Sequence, residues 1–348
     1  MEPRDIIVNG RFLLRPVTGV ERFAESIIRG LSEIRSDIRI VTPPTDQPLP
    51  FPVTQIGRMQ GHAWEQTELP RYCRSQQNPL LISLCSTGPV AYRRQIVAHH
   101  DITYIRHPES FSRQFRALYR MLIPTLLKNA QAIVTVSEFS KSEIHGHYGI
   151  PKKKIRVIPN AAGSQFTLPE SRNRDDYVLA VSSPNAHKNF DRLVTASREA
   201  GCNLRIVGQQ PAHFTPRTDS GAHSDGSVTY TGRLSDDELV EAYQNAQAFV
   251  FPSLYEGFGI PPLEAQACGT PVVAARAASL PEVLGDSALF VDPYDPSDIA
   301  RGIREILRPE VGADYAKRGI DNVRQYSWDD SVRRLNALID DCQEESAV

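Results

Sequence analysis

Short apolar runs alternate along this chain with stretches whose apolar residues recur every three or four positions, a pattern that predicts strands and helices in turn. In the first half, 6–8 reads as a strand, 19–34 as a helix and 38–41 as a strand. Runs at 80–84 and 96–99 read as further strands, 112–129 as a helix, 132–136 as a strand, 138–148 as a helix and 155–158 as a strand. The polar stretch 159–175, rich in Asn, Ser, Arg and Pro, reads as a linker. The pattern then restarts, with strands at 177–181, 204–207, 228–230, 248–251 and 271–275, and helices at 189–199, 236–245, 296–307 and 328–342. The polar segment Thr215–Gly226 reads as a mobile loop. Such alternation predicts an α/β protein of two doubly wound parallel sheets, with ligands at the carboxyl ends of the strands. The expected division is a first domain over 1–160, a linker over 161–175, a second domain over 176–325 and a closing helical segment over 326–348.

Length adds that two domains can each bury a core of ordinary size. The net charge of −2 gives no nucleic-acid footprint. Five scattered cysteines without a C-x-x-C pair indicate neither a zinc site nor a disulfide frame, and a reducing cytoplasm is the expected home. The first residues lead straight into a strand-like run, unlike a signal peptide, and no apolar stretch is long enough to span a bilayer.

The chemistry concentrates between Phe251 and Val273, around Tyr-Glu-Gly-Phe-Gly-Ile-Pro-Pro-Leu-Glu-Ala. Two acids, Glu256 and Glu264, flank seven residues that include Gly257, Phe258, Gly259 and Ile260. The glycines let main-chain N–H groups approach a ligand. Pro261 and Pro262 suit the first turn of a helix, and Gly269 its end. A helix that opens on a glycine loop presents N–H groups to an anion. Glu264, just inside that helix, is better suited to neutral hydroxyls such as a ribose diol, and Glu256 to a second polyol.

Set in this motif and followed by Gly-Thr-Pro-Val-Val, the paired acids resemble the signature of glycosyltransferase family 4, and the resemblance covers nearly the whole chain. It implies a GT-B fold, two Rossmann-like doubly wound domains facing a cleft, with a last helix crossing back to the first. It also implies retention at the anomeric carbon and a nucleotide-sugar donor, with no cofactor. The first half would hold the acceptor, with Trp64-Glu65-Gln66 and Ser86-Thr87-Gly88-Pro89 as its loops.

Further residues fall into place by the same resemblance. Gly19, where Thr18 and Glu21 form a capping-box pattern at the start of a helix, would lie by the donor diphosphate. His100 would lie near the transferred sugar, where it can donate to a hydroxyl, while His99 reads as a core histidine. Lys188 matches the phosphate lysine, whose charge stabilises the leaving diphosphate. Ser183 and His187 stand where many relatives have arginine, with His187 or Arg233 able to compensate. Asn189 would cap the following helix. Leu234, beside Arg233, would pack on the nucleotide base, and Ser279 reads as a second helix cap.

Catalysis is thus expected to rest on Glu256, His100 and Lys188. No Asp-x-Asp occurs, in keeping with metal-independent transfer. The opening Thr-Gly-Val-Glu-Arg-Phe resembles bacterial mannosyl- and rhamnosyltransferases of surface polysaccharide synthesis, which favours a GDP-sugar and a lipid-linked or polysaccharide acceptor. Arg113, Arg116, Arg120 and Lys128 form a basic helical stripe that either contacts anionic lipid at the inner membrane face or is a solvated helix face. Two alternatives stay open: a nucleotide-sugar epimerase of the same fold, and a non-catalytic nucleotide-sugar-binding protein.

Overall fold

The computed structural model describes residues 6–171, 174–181, 183, 185–209 and 227–344. The loop expected at Thr215–Gly226 lies outside the described residues, as do Ser182 and Pro184. In chain order the first sheet and its helices comprise β1 (Ile6–Asn9), α1 (Gly19–Ile34), β2 (Ile38–Thr42), β3 (Thr54–Gln55), α2 (Gly61–Ser75), β4 (Leu80–Ser83) and β5 (Gln95–Ala98). After the short α3 (Thr103–Arg106) come α4 (Arg113–Asn129), β6 (Ala132–Thr135), α5 (Glu138–Tyr148) and β7 (Ile155–Val157). The second sheet and its helices comprise β8 (Val178–Val181), α6 (Phe190–Ala200), β9 (Leu204–Val207), β10 (Val228–Gly232), α7 (Asp236–Asn245), β11 (Ala248–Phe251) and α8 (Ile260–Ala267). They continue with β12 (Val272–Ala275), α9 (Leu280–Leu284), β13 (Ala288–Val291), α10 (Pro296–Ile306) and α11 (Pro309–Val323), before α12 (Trp328–Glu344) ends the described chain.

Strand order is β3-β2-β1-β4-β5-β6-β7 in one sheet and β10-β9-β8-β11-β12-β13 in the other, and the strands pair in parallel throughout. Central strands such as β1, β4 and β11 are buried at every position, as sheets covered on both faces require. The order reverses between β1 and β4 in the first sheet and between β8 and β11 in the second. Crevices at the carboxyl ends of such strands are where open α/β sheets bind ligands.

The chain forms two compact units. One comprises Met1–Ile102, Phe111–Asn160 and Trp328–Val348, and the other Thr103–Ser110 and Ala161–Ser327. Assignment of Thr103–Ser110 to the second unit is a difference from the sequence-based division, because no local pattern marks a short segment that packs on distant residues. In the first unit, α1 buries Phe23, Ala24, Ile27, Ile28 and Leu31. Gly30 lets α12 come close, since a Cβ there would meet Val332 Cγ2 at 2.6 Å. Ser331 Oγ also donates to Pro159 O at 2.6 Å. In the second unit, α6 and α10 bury Leu193, Val194, Ile299 and Ile303 against Val178, Val250 and Val273. The expected linker is tied down: Phe166 packs edge-on against Tyr243, and Arg174 donates to Gln247 O at 2.7 Å and Gly269 O at 3.0 Å.

Helix α2 corrects a sequence expectation. Trp64, Glu65 and Gln66 are not in a loop but inside this helix, which Pro70 had obscured because proline ordinarily ends helices. Trp64 is fully buried, with Nε1 donating to Ile56 O at 3.0 Å. Glu65 is buried too. Its carboxylate accepts from Asn9 Nδ2 at 2.8 Å, Arg11 Nε at 3.1 Å and Thr87 Oγ1 at 3.1 Å, with His62 Nδ1 at 3.2 Å. Burial pushes its pKa up, but the bond from His62, the charge of Arg11 and the Asn9 amide outweigh that and hold it below the usual carboxylate range.

Two outcomes follow. Gly302 sits where a Cβ would lie 2.5 Å from Val291 Cγ1, so Gly302→Ala overpacks the second core and costs about 1–3 kcal/mol in chemical denaturation. Because folding depresses the Glu65 pKa, its ionised form contributes stability above the unfolded value near 4.5, and that contribution fades as pH falls through the folded value. The stability gap between wild type and Glu65→Gln, about 3 kcal/mol at neutral pH, therefore narrows in acid. A gap independent of pH contradicts this.

Candidate active site

The loops leaving β8 and β11 are joined where the second sheet reverses its order. After β8 a single 3-10 turn, Ala186–Lys188, presents Lys188. Its Nζ lies 2.7 Å from Glu256 Oε1 in the loop after β11, with side-chain exposures of 15% and 13%. The same ammonium stands 5.7 Å from the centre of the Phe251 ring, a cation–π contact. Main-chain bonding adds a second tie, Leu254 N–H donating to His187 O at 2.8 Å.

Asn189 supplies the third. It does not cap α6 as expected: its backbone is left-handed (φ 63°) and its side chain makes no cap bond. Nδ2 instead donates to Pro252 O at 3.0 Å and Pro293 O at 2.7 Å. Asparagine tolerates this conformation, and its amide has two hydrogens for two carbonyls.

The glycine turn forms as its composition dictates. Gly259 has φ 97°, and a Cβ on it would lie 2.7 Å from Leu280 Cδ2, so a side chain is excluded on both counts. Ile260, Pro261 and Pro262 make the first turn of α8. The helix ends where Gly269 N–H meets Gln266 O and Thr270 N–H meets Ala265 O, a Schellman arrangement. Gly257 and Phe258 are buried, the latter edge-on to Tyr326. Ser279 holds the turn from outside: its Oγ lies 2.9 Å from Glu256 O and 3.1 Å from Phe258 O. It makes no cap bond, so the helix-cap reading of Ser279 gives way to a loop anchor. Glu264 is buried in α8 and accepts from Tyr243 OH at 3.0 Å, which fixes the carboxylate's orientation.

His187 is buried, with Nδ1 2.8 Å from Ser110 Oγ. Burial first, then the nearby Lys188 and His107, pushes its pKa down to about 3. The ring is therefore neutral near pH 7 and brings no second positive charge to the loop. Ser183 is exposed and accepts from Asn185 Nδ2 at 3.0 Å. Arg233 is exposed and Leu234 half-buried, between Gly232 (φ 74°) and the Ser235–Glu238 capping box that opens α7. Among the described residues no hydrogen bond ties either to the Lys188–Glu256 loops.

Gly19 and His100 belong to the first unit. Gly19 does open α1, but Thr18 forms no capping box: its hydroxyl donates to the Glu21 carboxylate, which Arg15 also meets at 3.4 Å. His100 is buried, edge-on to Phe23, and its Nε2 donates to Leu84 O at 3.0 Å. Burial lowers its pKa, so the ring is neutral and its remaining nitrogen, Nδ1, accepts. His99 is a core histidine, as expected, with a pKa pushed down to about 4 by burial.

Sequence reasoning missed Tyr243 and Ser110 altogether, and the true bonds of Ser279 and Asn189, because each acts across a long gap in the chain. Among the described residues there is no group of three His, Cys, Asp or Glu placed to hold a metal, and no helix long and apolar enough to cross a membrane. On α4, Arg113, Arg120 and Lys128 are exposed beside Met121 (67% exposed), while Arg116 is half-buried.

Comparison with known proteins places this geometry. A family model described as glycosyl transferases group 1 matches residues 166–341, and one described as glycosyltransferase family 4 matches residues 17–162. The chain is similar to O-antigen chain mannosyltransferase B of Escherichia coli, at 29% identity over 272 residues covering 72% of this chain and 71% of that protein. It is also similar to O-antigen chain mannosyltransferase RfbU of Salmonella typhimurium, at 30% identity over 241 residues covering 68% and 67%. A solved sucrose-phosphate synthase from Thermosynechococcus elongatus matches with a TM-score of 0.76 at 18% identity, covering 100% of both chains, a likeness of fold that is of the GT-B type.

Ser279→Ala removes a hydroxyl that meets both carbonyls flanking Gly257. We expect a loss of about 1 kcal/mol in stability, with hydrogen exchange at 256–260 accelerated more than elsewhere. Unchanged exchange there contradicts the anchoring role.

Proposed function

This chain belongs to the glycosyl transferases of group 1, and on that footing we propose that it moves a mannosyl group from GDP-mannose onto a lipid-linked or polysaccharide acceptor in surface glycan synthesis. The observation that carries the reading is the Lys188–Glu256 pair, 2.7 Å apart at the reversal of strand order. A cation and a polyol acceptor sit side by side there, as a sugar diphosphate requires. The mannosyltransferase names of the similar proteins support the choice of sugar.

In the proposed reaction the donor separates the pair. Lys188 turns to the diphosphate, and N–H groups at the start of α8 share its negative charge. Glu256 accepts from hexose hydroxyls, and Glu264, oriented by Tyr243, accepts from the ribose diol. The anomeric C–O bond breaks and its electrons stay with the diphosphate oxygen. The acceptor oxygen bonds to the anomeric carbon from the same face, and its proton passes to that leaving oxygen, so configuration is retained. No resident metal or cofactor is required by this scheme. The exposed Arg113, Arg120 and Lys128 of α4 favour a peripheral contact with anionic head groups on the cytoplasmic side.

A ligand that prefers the folded state raises its melting temperature, by about 2.7 kcal/mol of added stability at a hundredfold excess over Kd. Screening GDP, UDP, ADP and dTDP is expected to give the largest shift with GDP. Glu256→Ala should retain GDP binding while mannosyl transfer falls at least about a hundredfold. No shift with any nucleotide overturns the proposal, and equal turnover by the variant removes Glu256 from the mechanism.

A further inference from the structure

Thr103–Ser110 lies in sequence between two elements of the first sheet yet belongs to the second unit. Its last residue places Ser110 Oγ 2.8 Å from Nδ1 of His187. His107, from the same segment, stands with its ring 5.8 Å from His187 and 5.8 Å from Tyr255, and its own Nδ1 meets Glu109 at 3.0 Å. The backbone of His187 is held as well, since its carbonyl accepts from Leu254 N–H. A buried imidazole is thus fixed in position and rotation, one residue before the Lys188 that pairs with Glu256.

A ring kept neutral by burial carries one hydrogen. Either nitrogen could hold it, and the partner of one decides the role of the other. A hydroxyl donating to Nδ1 puts the hydrogen on Nε2, and among the described residues no protein group meets Nε2. A bare lone pair at Nε2 would repel an anion bound by Lys188, whereas an N–H would add a bond without adding a charge to repel the ammonium. We propose that Ser110 is a positioning residue that sets His187 as the Nε2–H tautomer, so that this neutral ring donates a hydrogen bond to the donor's diphosphate beside Lys188. The inference rests on the donor reading above and adds to it a residue from a distant part of the chain.

The test uses the full chain with 15N-labelled histidine, the His187 signal being assigned by its loss in His187→Gln. Two-bond proton–nitrogen correlation is expected to show hydrogen on Nε2 and none on Nδ1. Calorimetric titration then compares GDP with guanosine, which lacks the diphosphate. Ser110→Ala should weaken GDP five- to tenfold and leave guanosine unchanged, and Ser110→Thr should restore GDP binding. Hydrogen on Nδ1 in the wild type, undiminished GDP affinity in Ser110→Ala, or equal weakening of GDP and guanosine would each overturn the proposal. Wild-type protein that responds to none of GDP, UDP, ADP and dTDP topples the donor reading itself and this inference with it.

Discussion

An ammonium and a carboxylate 2.7 Å apart, drawn from two loops that leave neighbouring parallel strands, are the interaction on which the second unit's candidate site depends. Neither partner is free to take up another position cheaply. Each is mostly shielded, and removing one partner of a shielded pair leaves a charge without compensation. The surrounding bonds bring the loops together: Asn189 reaches two proline carbonyls, Leu254 meets the His187 carbonyl, and Ser279 clasps the backbone on both sides of Gly257. The loops are held by these other bonds and not by the pair alone.

Sheet topology explains why these two loops meet. Strand order reverses between β8 and β11, so the connections on either side run away from each other and leave a crevice at the carboxyl ends. Gly259, held left-handed against Leu280, lets the chain turn there into α8. Glu264, four residues into that helix, is then oriented by Tyr243. The first sheet reverses between β1 and β4, and a buried polar group centred on Glu65 lies close by, joining Asn9 and Arg11 to Thr87.

Much of this was legible in the chain. Helix α1 and strand β11 fall where their apolar patterns place them, and the glycines and prolines of 257–262 do what their backbone preferences dictate. What was not legible shares one physical cause. Helix α2 hid behind Pro70, and its burial of Trp64 is a tertiary fact. Asn189 and Ser279 stand at helix starts and carry side chains that suit caps, yet each bonds elsewhere because a better partner arrives from outside the local segment. His187 has the composition of a phosphate ligand, and only burial against Ser110 and His107 shows it to be neutral. Local pattern yields elements and turns, while the partner of a polar side chain is decided by residues tens of positions away.

On the proposed function, the Lys188–Glu256 pair is the resting form of a sugar-diphosphate site. A crystal structure with GDP-mannose bound tests it most directly. The diphosphate is expected on Lys188, with hexose hydroxyls on Glu256, ribose on Glu264, and the two charged groups drawn apart from their 2.7 Å contact. Ligand density elsewhere on the protein, with that contact intact, would contradict it.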